Sequence, residues 1–273
     1  MLNPPFPNLI DLMTMIGETG RQMANIEASE GGAGNISVWV RWLVEPGDLF
    51  PLTEQIQLPI PVPELAGSTL LVTGSGRRLR EILDEPGANL AFLVINPGGE
   101  SATLRTSARR RFERVTNEFN SHLAVHHDQV KRTGTNFHAI VHAQPIHITF
   151  LSNIPRYQSS VYLNSHLLRW QPETILNMPQ GIGVLPFKIP GSVELMISNL
   201  ESMRDHNLVL WLKHGLMARS DVSVKRAADK IEYAEAAAKY ETLNLSLGEI
   251  GEGLLPHEIR AICDTYHIEQ KIF

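Results

Sequence analysis

Residues 91–106 read Ala91-Phe92-Leu93-Val94-Ile95, then Asn96-Pro97-Gly98-Gly99, then Glu100-Ser101-Ala102-Thr103-Leu104-Arg105-Thr106. Two strand-forming runs, Ala91 to Ile95 and Ala102 to Thr106, flank a cluster of the strongest turn formers, which predicts a β-hairpin about Asn96-Pro97-Gly98-Gly99. A hairpin joins antiparallel strands, whereas a parallel pair needs a long crossover, so this stretch argues against a purely parallel, doubly wound sheet. Before it, Thr69-Leu70-Leu71-Val72-Thr73 predicts a strand ending in the loop Gly74-Ser75-Gly76. Earlier still, Leu9, Leu12, Ile16 and Met23 recur at helical spacing within Leu9 to Ala28. The chain then turns through Glu30-Gly31-Gly32-Ala33-Gly34 into the alternating strand Ile36-Ser37-Val38-Trp39-Val40. Residues 44–66 carry many prolines and little periodicity, so an extended excursion is expected there.

After the hairpin, Glu118 to Lys131 predicts a helix and Phe137 to His142 a returning strand. Gly183 to Phe187 and Leu208 to Leu212 are short strand candidates with a helix, Val193 to Arg204, between them. Beyond His214-Gly215 the chain is expected to be helical, with Asp221 as N-cap of a helix to about Asn244 and a last helix over Pro256 to Tyr266. Hairpins mixed with helices predict an α/β fold: a mainly antiparallel central sheet flanked by helices, in one domain over residues 1–273, with 1–8 and 268–273 as tails.

Composition narrows the function. A chain of 273 residues, 43% hydrophobic and 19% charged, can bury a continuous core without staples. The net charge of -5 gives no electrostatic ground for nucleic acid or an anionic membrane. No run approaches the roughly 18 apolar residues of a membrane helix, and Met1 to Asn8 lacks the pattern of a secretory signal. A single cysteine, Cys263, rules out an internal disulfide or a cysteine zinc cluster and fits a reducing, cytoplasmic setting. Small-molecule chemistry is the better expectation, and any metal must use His, carboxylate or amide ligands.

Leu79 breaks the dinucleotide pattern GxGxxG after Gly74, and no P-loop occurs. Gly74-Ser75-Gly76 is therefore either a plain tight turn or a phosphate cradle of backbone N–H groups and a hydroxyl. The loop Gly31-Gly32-Ala33-Gly34-Asn35 adds a side-chain amide and strengthens the anion-binding reading. His142 and Gln144 share a strand face, and His214 ends another apolar strand, so the two histidines could meet at one sheet edge and hold a divalent ion. The competing reading, a hydrogen-bonded histidine at the core rim, is the better one for His122, His126, His127, His138 and His147. Glu118 begins a helix and is either a favourable helix-terminus charge or a general base. Arg105, Arg109, Arg110, Arg111 and Arg114 read as a solvated or intersubunit face and receive no catalytic role.

In order, Gly34-Asn35-Ile36-Ser37, Val72-Thr73-Gly74-Ser75-Gly76, Glu118, Val141-His142-Ala143-Gln144-Pro145 and Leu210-Trp211-Leu212-Lys213-His214-Gly215 resemble the class II aldolase/adducin family. The resemblance implies a homotetramer with active sites between subunits and Zn²⁺-dependent cleavage of a ketose 1-phosphate into dihydroxyacetone phosphate and an aldehyde. It implies that His142 and His214 bind one Zn²⁺, or another divalent first-row ion, per subunit. It makes Glu118 the residue that shuttles a proton at the dihydroxyacetone phosphate carbon, and assigns Gly34, Asn35, Ser75 and Gly76 to the phosphate loops. Glu173, in Trp170-Gln171-Pro172-Glu173, lies where a member of the family places an acid that reaches into a neighbouring subunit's site. The family's His-x-His has Gln144 as its second position here, and an amide oxygen is a poorer zinc ligand than imidazole. Gln144 then ligates weakly, or His147 compensates, or the chain is a non-catalytic, adducin-like relative. A related pentulose-phosphate epimerase is a further alternative.

Overall fold

The computed structural model describes residues 1–273 and contains nine strands: β1 (Asn35–Val40), β2 (Leu52–Gln57), β3 (Thr69–Thr73), β4 (Leu90–Ile95), β5 (Ser101–Thr106), β6 (Phe137–Ala143), β7 (Gly183–Leu185), β8 (Leu208–Trp211) and β9 (Gly215–Ser220). They form one sheet in the order β2-β5-β4-β3-β1-β6-β9-β8-β7. The 91–106 hairpin forms as β4 and β5, with Leu93 opposite Leu104. Every pairing is antiparallel except the edge pair β7 and β8.

The helices are α1 (Leu9–Asn25), α2 (Pro86–Asn89), α3 (Phe119–Thr133), α4 (Ile146–Leu151), α5 (Ser160–Leu167), α6 (Pro172–Asn177), α7 (Val193–Asp205), α8 (Val224–Ser246) and α9 (Pro256–Tyr266). Strand alternation divides the core between the two sheet faces. Ile36, Val38 and Val40 of β1 face one way, into a cluster with Leu12 and Ile16 of α1 and Ala227 and Ile231 of α8. Trp39 faces the other way, with Phe119, Leu123 and Val130 of α3. Under α7, Leu195 and Met203 pack on Ile140, Val209 and Met217. β1 and β6 are buried along their whole length. No helix is long and apolar enough to cross a membrane.

Several elements differ from the sequence expectation. The 44–66 excursion contains β2, an exposed edge strand whose Leu-Thr-Glu-Gln-Ile-Gln lacks a strong apolar alternation because only one edge and little of either face is covered. Residues 215–220 form β9 rather than a helix, since this strand is covered on both faces and has no alternation to read. The final long helix is capped by Ser223, whose side chain accepts from the Arg226 N–H, and not by Asp221. The short helices α4, α5 and α6 were not anticipated. Both terminal stretches are tied down: Asn136 exchanges two hydrogen bonds with the Leu2 backbone, and Ile272 packs on Gly181.

Candidate active site

The register of the central strands builds the site. Asn35 lies opposite His142 across β1 and β6, at the end where both glycine loops emerge. The turn from β8 to β9 pairs Trp211 with Gly215, and a Cβ on Gly215 would stand 2.5 Å from the Ala143 carbonyl oxygen. Glycine therefore lets this turn press against the end of β6, which brings the His214 ring within 5.0 Å of the His142 ring. Segment 114–116 tracks the end of β3 through Ser75 N–H to the Arg114 carbonyl and Thr116 N–H to the Thr73 carbonyl. That path delivers Glu118 to the same corner.

Glu118 occupies the N-cap position of α3, yet its side chain makes no capping bond. Its carboxylate turns into the cleft instead. Oε2 accepts from Asn35 Nδ2 at 2.7 Å and lies 3.6 Å from His142 Nε2, while Oε1 lies 3.4 Å from His214 Nε2. Burial pushes the Glu118 carboxyl up, but the His142 imidazole, the Asn35 N–H, His214 and His122 together outweigh it and hold the group below the ordinary carboxylate value. His214 is pushed down to about 4 by burial and by His142, so its ring is neutral near pH 7.

His142 Nδ1 donates to the Leu216 carbonyl at 2.8 Å, which orients the ring with its Nε2 towards Glu118. Ligand atoms of Glu118, His142 and His214 all lie within 4.8 Å of one another, so these three side chains could hold a metal ion. Their chemistry, two imidazoles and a carboxylate, suits first-row divalent ions. His147 does not join them: its Nδ1 lies 2.6 Å from Glu235 on α8.

A cleft of about 140 Å³ opens beside this group, lined by Gly32, Ala33, Gly34, Asn35, Gly74, Ser75, Gly76, Thr116, Asn117, Glu118, His142, Gln144 and Pro190. The two glycine loops that sequence singled out thus form one wall, close enough that a Cβ on Gly32 would come within 2.9 Å of the Gly76 carbonyl oxygen. The Asn35 amide is largely committed, one N–H to Glu118 and its oxygen to His122 Nε2. Gln144 borders the cleft beside His142. Glu173 is exposed in the first turn of α6 and does not line the cleft of its own chain. Thr116, Asn117 and Pro190 carried no sequence signal strong enough to single them out, beyond their place beside Glu118 and in the glycine-proline segment before α7.

Fold and site together define a class. Residues 15–242 match the class II aldolase and adducin N-terminal domain, and the chain belongs to that family. More particularly, it is 30% identical over 246 residues to a rhamnulose-1-phosphate aldolase of Yersinia pseudotuberculosis, covering 88% of this chain and 87% of that one. It is 26% identical over 228 residues to the rhamnulose-1-phosphate aldolase of Klebsiella pneumoniae, covering 83% and 82%. Among solved structures it is similar to a sugar-phosphate aldolase from Thermotoga maritima, with a TM-score of 0.72 and 30% identity over 87% of this chain and 96% of that one.

Proposed function

We propose that this protein is a metal-dependent aldehyde-lyase that cleaves a ketose 1-phosphate, of the L-rhamnulose 1-phosphate type, into dihydroxyacetone phosphate and an aldehyde. The observation that carries the reading is the Glu118 carboxylate, held between His142 and His214 at the mouth of a cleft walled by two glycine loops. The rhamnulose-1-phosphate aldolase relatives support the substrate class.

In this reading His142, His214 and the Gln144 amide oxygen hold a divalent ion, zinc by preference, with Glu118 close enough to share it. The ion would supply Lewis-acid polarisation of the substrate's carbonyl oxygen. Backbone N–H groups of the Gly34-Asn35 and Ser75-Gly76 loops and the Ser75 hydroxyl bind the phosphate, and this remote binding energy fixes the carbon skeleton against Glu118. In cleavage the C4 hydroxyl of the ketose gives up its proton to the ionised Glu118 as the C3–C4 bond breaks, and Glu118 returns it to the dihydroxyacetone phosphate carbon; in the synthetic direction the two transfers run in reverse. A carboxylate held ionised beside the carbon is suited to that exchange. Glu173 of one copy, exposed on α6, serves a neighbouring copy's site in a homotetramer. The lone cysteine suits a reducing, cytoplasmic setting.

The test is release of dihydroxyacetone phosphate from L-rhamnulose 1-phosphate, read with a coupled dehydrogenase, with product analysis for an epimerised sugar. Cleavage supports the reading. An epimer without cleavage assigns the chain to epimerase chemistry, and no reaction with any ketose 1-phosphate assigns it to the binding branch of the family.

A further inference from the structure

Three wholly buried histidines, His122, His126 and His138, lie behind Glu118 and have no part in the chemistry above. Glu118, His122 and His126 follow at intervals of four along the start of α3 and so share one stripe. That stripe lies on Asn35 and Ser37 of β1 and on His138 of β6, which share a sheet face through the pairings Asn35 with His142 and Trp39 with His138. The contacts run in series. Asn35 Nδ2 is 2.7 Å from Glu118 Oε2, His122 Nε2 is 2.5 Å from Asn35 Oδ1, and His122 Nδ1 is 2.6 Å from Ser37 Oγ. Ser37 Oγ is 2.7 Å from His126 Nε2, and His126 Nδ1 is 2.7 Å from His138 Nδ1. His138 Nε2 is buried with no partner.

The carboxylate fixes the direction of every link. An ionised carboxylate only accepts, so Asn35 turns its NH₂ to Glu118 and its oxygen to His122, whose Nε2 must carry the hydrogen. Burial pushes His122 down to about 3 and, with neighbouring charges, holds His126 and His138 well below the ordinary histidine value, so all three rings are neutral. The bare Nδ1 of His122 then takes the Ser37 hydroxyl hydrogen, Ser37 Oγ takes the His126 Nε2 hydrogen, and the bare Nδ1 of His126 takes the His138 Nδ1 hydrogen. The series ends on the bare Nε2 of His138.

We propose that Ser37, His122, His126 and His138 are positioning residues, forming a one-way chain of hydrogen bonds that points its donors at Glu118 and locks the Asn35 amide with its N–H towards the carboxylate. Donors aligned in one sense polarise one another, which strengthens the last bond, the one to Glu118. The Asn35 amide cannot pass a proton on and remain an amide, so the chain orients and polarises without conducting protons. The orphaned acceptor on His138 is a cost that apolar packing would avoid, and a purely structural role gives it no compensation. The inference rests on Glu118 as the proton-transfer group.

The chain is read by ¹⁵N spectra of histidine-labelled protein near neutral pH, assigned with His122→Gln, His126→Gln and His138→Gln. His122 and His126 are expected as Nε2–H tautomers and His138 as Nδ1–H. An Nδ1–H tautomer of His122, or a charged ring among the three, overturns the chain whether or not the protein turns over. The positioning role is read with Ser37→Ala: the His122 Nδ1 resonance moves to that of a nitrogen without a donor, and kcat falls about tenfold with KM within about twofold, the size of one neutral hydrogen bond. Ser37→Thr, which restores the hydroxyl, recovers most of the loss. An unchanged kcat in Ser37→Ala, or a loss confined to KM, overturns the role. Expected tautomers in a wild-type protein that cleaves no ketose 1-phosphate would leave the chain standing and remove the aldolase reading instead.

Discussion

The buried histidines make the fold sensitive to mild acid. His122, His126 and His138 are fully buried, and each has a folded pKa below the 6.5 of an exposed histidine. Below pH 6.5 the unfolded chain therefore binds more protons than the folded one, so the stability they permit is complete above that pH and falls as the pH drops towards 3. Each neutral ring costs about 1.4 kcal/mol per pH unit in that window. The three together remove about 4 kcal/mol by pH 5.5 and about 6 kcal/mol by pH 5, a large part of the roughly 5–15 kcal/mol of a typical domain. Glu118, whose pKa is depressed, adds in the same direction only below the carboxylate range. Urea unfolding followed by circular dichroism at pH 7.5 and 5.5 reads the effect: the midpoint drops by about 2 M for a slope near 2 kcal/mol/M. His138→Phe, which removes one of these rings, flattens the dependence by about a quarter, because His214, also lowered, titrates in the same window. Midpoints within about 0.5 M at the two pH values would refute the reasoning, because three buried neutral imidazoles cannot be indifferent to protonation in the unfolded chain.

Three substitutions probe the site itself. Gln144→His replaces an amide oxygen with imidazole beside His142, and zinc affinity by competition with a chromophoric chelator rises on the order of tenfold or more. Glu118→Gln keeps an acceptor for Asn35 but loses the base, so kcat falls by about 10²–10⁴ while the thermal midpoint stays close to wild type. Gly34→Ala puts a side chain on a residue with φ of 84° and a Cβ 2.9 Å from the His142 carbonyl oxygen. It costs more than the roughly 1–2 kcal/mol of a left-handed backbone alone, whereas Gly31→Ala, at φ 56° with open space around its Cβ, costs only that backbone strain. Comparison of their thermal midpoints checks the difference.

The central sheet was legible because its strands announce themselves locally. The Asn96-Pro97-Gly98-Gly99 turn and the apolar runs ending at Thr73, His142 and Trp211 each carry their own signal, and antiparallel pairing follows from the hairpin. β2 and β9 were not legible: one is an edge with little to bury, the other is buried on both faces, and neither shows alternation. In the site, the end-of-strand position of His142 and the two glycine loops led to one cleft, and His214 stands beside its Glu118. His122, His126 and His138 are hydrogen-bonded as expected, but they lie wholly inside the core and not at its rim. What no local pattern revealed is that they stand in series. That depends on the register of β1 against β6 and on where α3 crosses them, a relation between segments distant in sequence. The direction of the Glu118 side chain was likewise not legible: it makes no capping bond and turns towards Asn35 and the cleft.

Metal content of the protein purified without added metal, measured beside chelator-sensitive release of dihydroxyacetone phosphate from L-rhamnulose 1-phosphate, tests the whole reading. A near-stoichiometric divalent ion and cleavage that chelation abolishes and zinc restores are the predicted results, and they would show that Gln144 is compatible with a working site. Metal-free protein that cleaves nothing, even with zinc supplied, would contradict it and make Gln144 the residue at which catalysis was lost.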